Sequence, residues 1–403
     1  MDKVMELTGR LYRLRSHVRH YAWGMRRHGE TAPFIADLLG EEPGKSIPWA
    51  ELWIGAHPSL SSDIILDGGA ERLDKAIEYS DGGCLGDLPA GAKARALPFL
   101  LKVLSCERAL SIQSHPDRGM AKVLHEQDPQ NYPDDNHKPE VMIAVTPFEA
   151  MAGFKELGPV LDDLNRLASI APWRMIWEEA CHLSMSTLCV TLLNLPASIA
   201  RSMLVGLYHE LKEAGRALSD SDRLCLSLME QYPCDRGAMF AYLLNHVTLE
   251  PGQALFIPAN EPHAYLFGTG IECMANSDNV IRAGLTGKFV DIRRLLATLN
   301  FSPFAVERNG GERLASGERV YTVPASEFAV SFFEGGAAMD IGGRRPVAGV
   351  LLVLDGRCEF DDGTGKTVVM ERGSTWFRPA SLRTGMVRPL DNSSRFVLAE
   401  VGK

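Results

Sequence analysis

The period of the hydrophobic pattern changes twice along this chain, and that change limits the folds open to it. From about Tyr12 to Gly153, short apolar runs alternate with turn signals, as in Glu51-Leu-Trp-Ile-Gly55, Leu97-Pro-Phe-Leu-Leu-Lys-Val-Leu104, Leu110 to His115 and Val141-Met-Ile-Ala-Val145. This spacing predicts strands. From Lys155 to about His246 the apolar residues instead recur at three and four, as in Trp173 to Ala180 and Ile199 to Leu211, which predicts a helical block. Strand character resumes at Val247-Thr-Leu and Ala254-Leu-Phe-Ile257, with a helix expected over Val290 to Thr298. From Phe304 onward short strands and Gly-rich turns return, such as Val350 to Leu354 followed by Asp-Gly. The chain is therefore expected to be mainly β with a helical insertion: two β-domains of jelly-roll β-sandwich type plus an α-helical domain. The expected boundaries are 1–153 with 247–303 for the first β-domain, 154–246 for the insertion and 304–403 for the second β-domain.

At 403 residues the chain is long enough for several cores, and 45% hydrophobic with 23% charged residues excludes a largely disordered protein. A net charge of -9 without a Lys/Arg-rich run argues against nucleic acid as a partner. The eight cysteines (Cys84, Cys106, Cys181, Cys189, Cys225, Cys234, Cys273 and Cys358) show no C-x-x-C and no regular spacing, as expected of reduced thiols packed in a core. The first residues, Met-Asp-Lys-Val-Met-Glu-Leu, contain no apolar signal segment, and no run is long enough to span a membrane. A cytoplasmic location is expected.

Within the Leu110 to His115 run, side chains alternate across a strand, so Ser111, Gln113 and His115 share one face. Two donors on one wall can share a metal, although a Gln-x-His pair is more often simply hydrogen-bonded. Pro139 biases Lys138 toward extended backbone, which puts Lys138 and Glu140 on one side of the strand that continues through Val141 to Val145. Downstream, His263 and Tyr265 are two residues apart, and Glu272 opens a further strand face with Met274. Gly252 and Gly373 are each followed by five residues and a Pro, so the same strand-turn unit is used twice.

The segment Gly252-Gln-Ala-Leu-Phe-Ile-Pro-Ala-Asn-Glu-Pro-His263 resembles the second sequence motif of the cupin superfamily, whose terminal His is a metal ligand. In place of the usual His-x-His of the first motif stands Gln113-x-His115, with Glu140 far downstream. This departure is similar to one branch, the type I mannose-6-phosphate isomerases. The resemblance extends over His20-Tyr-Ala-Trp-Gly24, Ala50 to Pro58, Leu110 to Asp117, Asn136-His-Lys-Pro-Glu140, Ile257 to Tyr265, Ile271-Glu-Cys-Met, and Asn279-Val-Ile-Arg-Ala-Gly-Leu-Thr286.

The resemblance implies one zinc per chain, held by Gln113, His115, Glu140 and His263, a donor set that zinc accepts. It implies an isomerase acting on a small sugar phosphate within mannose and GDP-mannose metabolism, as a monomer with neither nucleic acid nor membrane as partner. Arg282 matches the family's catalytic Arg. Lys138, His137, Glu272 and Asp278 are candidates for proton transfer and ring opening, and the sequence does not choose among them. Without the family, Lys138 reads as a solvated strand-end charge and Glu272 as an ion-pair partner of Arg282. For the substrate, Lys288 or Arg282 is expected at the phosphate, with Ser111 and Tyr265 lining the site; Lys288 follows Gly287 where relatives commonly carry Pro. In the second β-domain Thr384 stands at the position matching His263, so that unit is expected to be structural. The competing readings are an iron-dependent cupin oxygenase, which Gln113 disfavours, and a non-catalytic sugar-binding cupin.

Overall fold

A computed structural model describes residues 6–169, 173, 174, 176, 184–215 and 217–403. One strand, His263–Ala275, organises the first β-domain. Its first residues pair with Phe148–Phe154 and, through His263 opposite Gln113, with Ile112–Ser114. Its later residues pair with Phe99–Cys106 on one side and Glu140–Ala144 on the other. The change of partners falls at Gly268, where φ is +114° and an added Cβ would meet the Pro147 carbonyl oxygen at 2.5 Å. Only glycine lets the strand bend there and pass from one wall of the barrel to the other. Ala254–Ile257 closes against Glu140–Ala144, and Ile281–Gly284 against Ile112–Ser114.

The strands Glu51–His57 and Phe99–Cys106 are buried along their whole length, which is why they read as continuous apolar runs rather than alternating ones. On their outer face Leu52, Ile54, Phe99, Leu101 and Val103 pack in one core with Val330, Phe332, Val350, Leu352 and Phe377 of the second sheet. The inner face lines the barrel.

The expected mainly β architecture with a helical insertion is observed. Helices Leu157–Leu167, Met185–Asn194, Ala197–Lys212 and Asp220–Gln231 form the insertion; the last begins at a capping box in which Ser219 and Asp222 satisfy each other's backbone N–H. They share a core with the barrel strands through Ile112, Ile281 and Met151. The helix expected over Trp173 to Ala180 lies largely outside the described residues, as does Cys181. Of the other cysteines, Cys234 is exposed and the rest are buried.

The expectation that all of residues 1–153 belong to the first β-domain requires correction. The second β-domain's nine-stranded sheet contains three strands from the N-terminal region, Tyr12–Arg15, Asp63–Leu66 and Gly69–Arg72. Tyr12 pairs with Phe377, so the strand Thr375–Arg378 is covered on both edges instead of ending the sheet. Strand pairing over such a separation leaves no periodic trace in the sequence. The Asp355-Gly356 turn is likewise not a hairpin: Gly349–Asp355 pairs with Thr375–Arg378 and Arg395–Val401, while the following strand, Cys358–Asp361, belongs to a separate four-stranded sheet.

Arg378 is wholly buried at the end of this covered strand. Its guanidinium donates to the carbonyls of Ile341, Val347 and Arg345 and pairs with Glu400 at 2.9 Å. Arg378→Met should therefore cost about 3–5 kcal/mol, the range for breaking a buried ion pair, read as a lower midpoint of urea unfolding.

Candidate metal centre and active site

The residue after the strand Ile112–Ser114 and the first residues of the strands Glu140–Ala144 and His263–Ala275 bring His115, Glu140 and His263 to one buried point, where donor atoms of all three lie within 4.8 Å of one another. His115 Nε2 is 3.3 Å from Glu140 Oε2, and His263 Nε2 is 3.1 Å from Glu140 Oε1. The far nitrogen of each ring is committed: His115 Nδ1–H donates to the Asn279 carbonyl at 2.8 Å, and His263 Nδ1–H donates to the Glu261 carbonyl at 3.0 Å. Both Nε2 lone pairs are thereby aimed inward, the tautomer a metal requires. His115 Nε2 and Glu140 Oε2 have no hydrogen-bond partner among the described residues although both are buried. A divalent cation would satisfy both atoms. Gln113 adjoins the cluster, its amide nitrogen 3.4 Å from His263 Nε2, and a half-turn of that amide presents its oxygen instead.

Burial pushes the His115 imidazole down to about 4, with the Lys138 charge acting in the same direction. For Glu140, burial alone would raise the carboxyl, but His263 and His115 pull it well below its ordinary value. A neutral His beside an ionised Glu is the protonation state that binds a metal.

The surroundings hold these ligands in place. Asp134 accepts from Ser277, from the Asp278 backbone and from the Asn279 amide, fixing the loop whose carbonyl orients His115. The Tyr265 hydroxyl donates to Glu140 Oε1 at 2.7 Å, and the residue is fully buried against Phe148. Tyr265, expected to line the substrate site, thus orients a metal-ligand candidate.

Beside the cluster the barrel contains a second ionic group. Lys102 lies 2.7 Å from Glu272 and 3.5 Å from Glu51, all three nearly inaccessible to solvent. Burial would lower the Lys102 ammonium, but Glu272 and Glu51 outweigh it and raise it; burial raises the Glu272 carboxyl despite Lys102. The ion-pair partner expected for Glu272, Arg282, is not the one observed. Register decides this, because Glu272 sits directly opposite Lys102 on adjacent strands. Lys102 was missed in the sequence, yet a lone Lys inside the run Leu97 to Leu104 was a legible signal, since a charge in a doubly buried strand requires carboxylates.

A family model described as phosphomannose isomerase type I, catalytic domain, matches residues 11–157. Mannose-6-phosphate isomerase 2 of Arabidopsis thaliana is 33% identical over 404 residues, covering 94% of this chain and 91% of its own length. The chain belongs to the type I mannose-6-phosphate isomerase family. The Homo sapiens mannose-6-phosphate isomerase is 37% identical over 316 residues, 73% of this chain and 74% of that protein. Among solved structures, the Salmonella typhimurium mannose 6-phosphate isomerase bound to substrate and a zinc atom is 30% identical, with a TM-score of 0.85 over 98% of this chain and 100% of that one.

For a member of this family, the remaining candidates fall into distinct places. Lys138 is buried with its ammonium 3.9 Å from Glu140 Oε2. Arg282 pairs in register with Gln113, is half-buried, and has no hydrogen-bond or ion-pair partner among the described residues; burial lowers its pKa. Lys288 also lacks a carboxylate partner among the described residues, stacks over Tyr21 at 6.0 Å, and is lowered by burial and by the Arg282 charge. Ser111 is half-buried just before its strand and makes no side-chain hydrogen bond among the described residues. Asp278 contacts His57, at 3.5 Å, and Ser59. His137 contacts Glu327 rather than the metal cluster. Thr384 is exposed and donates to the Asp362 carbonyl.

Two measurements test this geometry. Tyr265→Phe removes the donor that orients Glu140 and should weaken metal affinity by about 10–100-fold in a chelator competition. His57 and His115 are both held down to about 4 from 6.5 by burial, so the unfolded chain binds more protons than the folded one between those values. The thermal midpoint of the metal-free protein should therefore fall as pH is lowered from 6.5 to about 4.

Proposed function

We propose that this protein is a zinc-dependent aldose-ketose isomerase that interconverts mannose 6-phosphate and fructose 6-phosphate. The observation that carries this reading is the buried cluster of His115, Glu140 and His263 with both imidazoles locked in the metal-ready tautomer. Gln113, His115, Glu140 and His263 would hold zinc, which supplies a Lewis acid able to polarise a substrate oxygen.

The chain's own residues supply the rest. The reaction takes a weakly acidic proton from the carbon beside a carbonyl and returns it to the neighbouring carbon through an enediol-like intermediate, so negative charge develops on oxygen. Arg282, half-buried and unpaired among the described residues, offers a preorganised cation for that charge. Lys288, near enough to feel Arg282 and likewise without a carboxylate, extends the positive region and suits a phosphate dianion. Ser111 adds a free hydroxyl on the face shared with Gln113. Lys138 is the candidate nearest the metal ligands and is the group best placed to hold and move the proton. Asp278, in contact with His57, is a candidate group for ring opening. Glu272, its carboxyl raised by burial, balances Lys102 and fixes the field in which Lys138 works.

A coupled assay for fructose 6-phosphate formation, run before and after chelation with metal analysis of the purified protein, tests the reading. Activity should vanish on chelation and return with zinc; bound iron with no isomerase activity would overturn it. Arg282→Ala should retain zinc and lower kcat by about 100–1000-fold, the cost of removing one donor from a developing oxyanion. His263→Ala should lose the zinc itself.

A further inference from the structure

We infer that Glu327, supplied by the second β-domain, is a positioning residue for the catalytic barrel, so that turnover depends on contact between the two β-domains. The inference rests on the isomerase reading and extends it to a residue outside every motif of the active site.

Glu327 is 3% exposed and lies immediately before the strand Phe328–Glu334. Its Oε1 accepts from Arg118 Nη2 at 2.7 Å and from His137 Nε2 at 2.7 Å, and those two donors are 2.9 Å from each other. Arg118 opens the helix that follows His115-Pro-Asp, and His137 precedes Lys138-Pro-Glu140. One carboxylate therefore ties together the two segments that carry His115, Lys138 and Glu140. Burial would raise this carboxyl, but the His137 and Arg118 contacts hold it below its ordinary value, so it is anionic where it sits.

Glu327 is itself held firmly. The Gly402 N–H donates to its carbonyl at 3.2 Å, and a Cβ on Gly402 would collide with the Ser326 carbonyl oxygen at 2.2 Å, so the last strand of the chain clamps this turn. Its second oxygen, Oε2, is buried without a hydrogen-bond partner among the described residues. A carboxylate kept partly unsatisfied in a buried junction is costly as a mere staple. Its geometric effect is specific: a charge anchored in one domain sets the backbone leading into the Lys138 ammonium of the other. Removing it frees His137 and Arg118 to shift, and a displacement near 1 Å at a proton-transfer group costs roughly 100-fold in rate.

The test compares Glu327→Gln and Glu327→Asp with Glu318→Gln in the full-length zinc enzyme. Glu318 is a buried carboxylate of the same sheet, paired with Arg344 at 2.8 Å and remote from the barrel's ligands. Glu327→Gln should lower kcat for mannose 6-phosphate at least tenfold with KM within twofold and with zinc content unchanged, and Glu327→Asp should recover part of kcat. Glu318→Gln should lower the thermal midpoint while leaving kcat at the wild-type value. Wild-type kcat in folded, zinc-loaded Glu327→Gln would overturn the inference, as would a loss of kcat in Glu318→Gln that matches its loss of stability. Absence of isomerase activity in the wild-type enzyme would instead overturn the functional reading.

Discussion

A carboxylate wedged between two imidazoles in a closed barrel is unstable as an isolated charge, and much of the structure can be understood as the means of keeping it ionised. Glu140 touches His115 and His263, receives the Tyr265 hydroxyl and lies beside the Lys138 ammonium. Burial opposes its ionisation and these neighbours win. Two of the surrounding atoms, His115 Nε2 and Glu140 Oε2, remain unsatisfied by protein, which is the signature of a place kept for a cation. The same requirement recurs one strand away, where Lys102 sits between Glu272 and Glu51. The barrel interior is thus a set of compensated charges, and a catalyst for proton transfer beside a carbonyl needs such a low-dielectric, preorganised interior.

The backbone meets this requirement with one bent strand. His263–Ala275 places His263 opposite Gln113 at one end and Met274 opposite Glu140 at the other, and Gly268 allows the turn between them. The ligand atoms converge because that strand carries His263 itself and pairs both with the strand that leads into His115 and with the strand that begins at Glu140. The helical insertion and the second sheet then cover the barrel's outer faces, through cores that include Ile112 and Ile281 on one side and Leu101 and Val103 on the other. Covering is not their whole effect, since Glu327 reaches from the second sheet to Arg118 and His137.

The elements were well marked by periodicity. Ala254–Ile257 coincides with its expectation, and Glu51–His57, Phe99–Cys106 and Glu140–Ala144 extend or shift theirs by a residue or two. The metal-ligand candidates Gln113, His115, Glu140 and His263 were legible through the motifs that resemble the type I family, while strand alternation and the Pro-restricted backbone gave only which side chains share a face. For Tyr265, alternation gives a side but not depth. It shares a strand face with His263, and only the tertiary structure shows that its hydroxyl donates to Glu140. The cation beside Glu272 is Lys102 and not Arg282, the partner it would have had as a plain surface pair, because ion pairs follow register and register between distant strands is not written in either strand alone.

What the sequence determined by itself was therefore local: which segments are strands, where the helical block interrupts them, and which residues carry metal-binding and titratable groups. Tertiary structure alone decided the pairings: Tyr12–Arg15 with the strand Thr375–Arg378, Lys102 with Glu272, and Glu327 with His137. The physical reason is the range of the forces involved. Backbone preference and hydrophobic period act over a few residues, whereas the compensation of a buried charge is satisfied by whichever partner the fold brings within about 4 Å, at any distance along the chain.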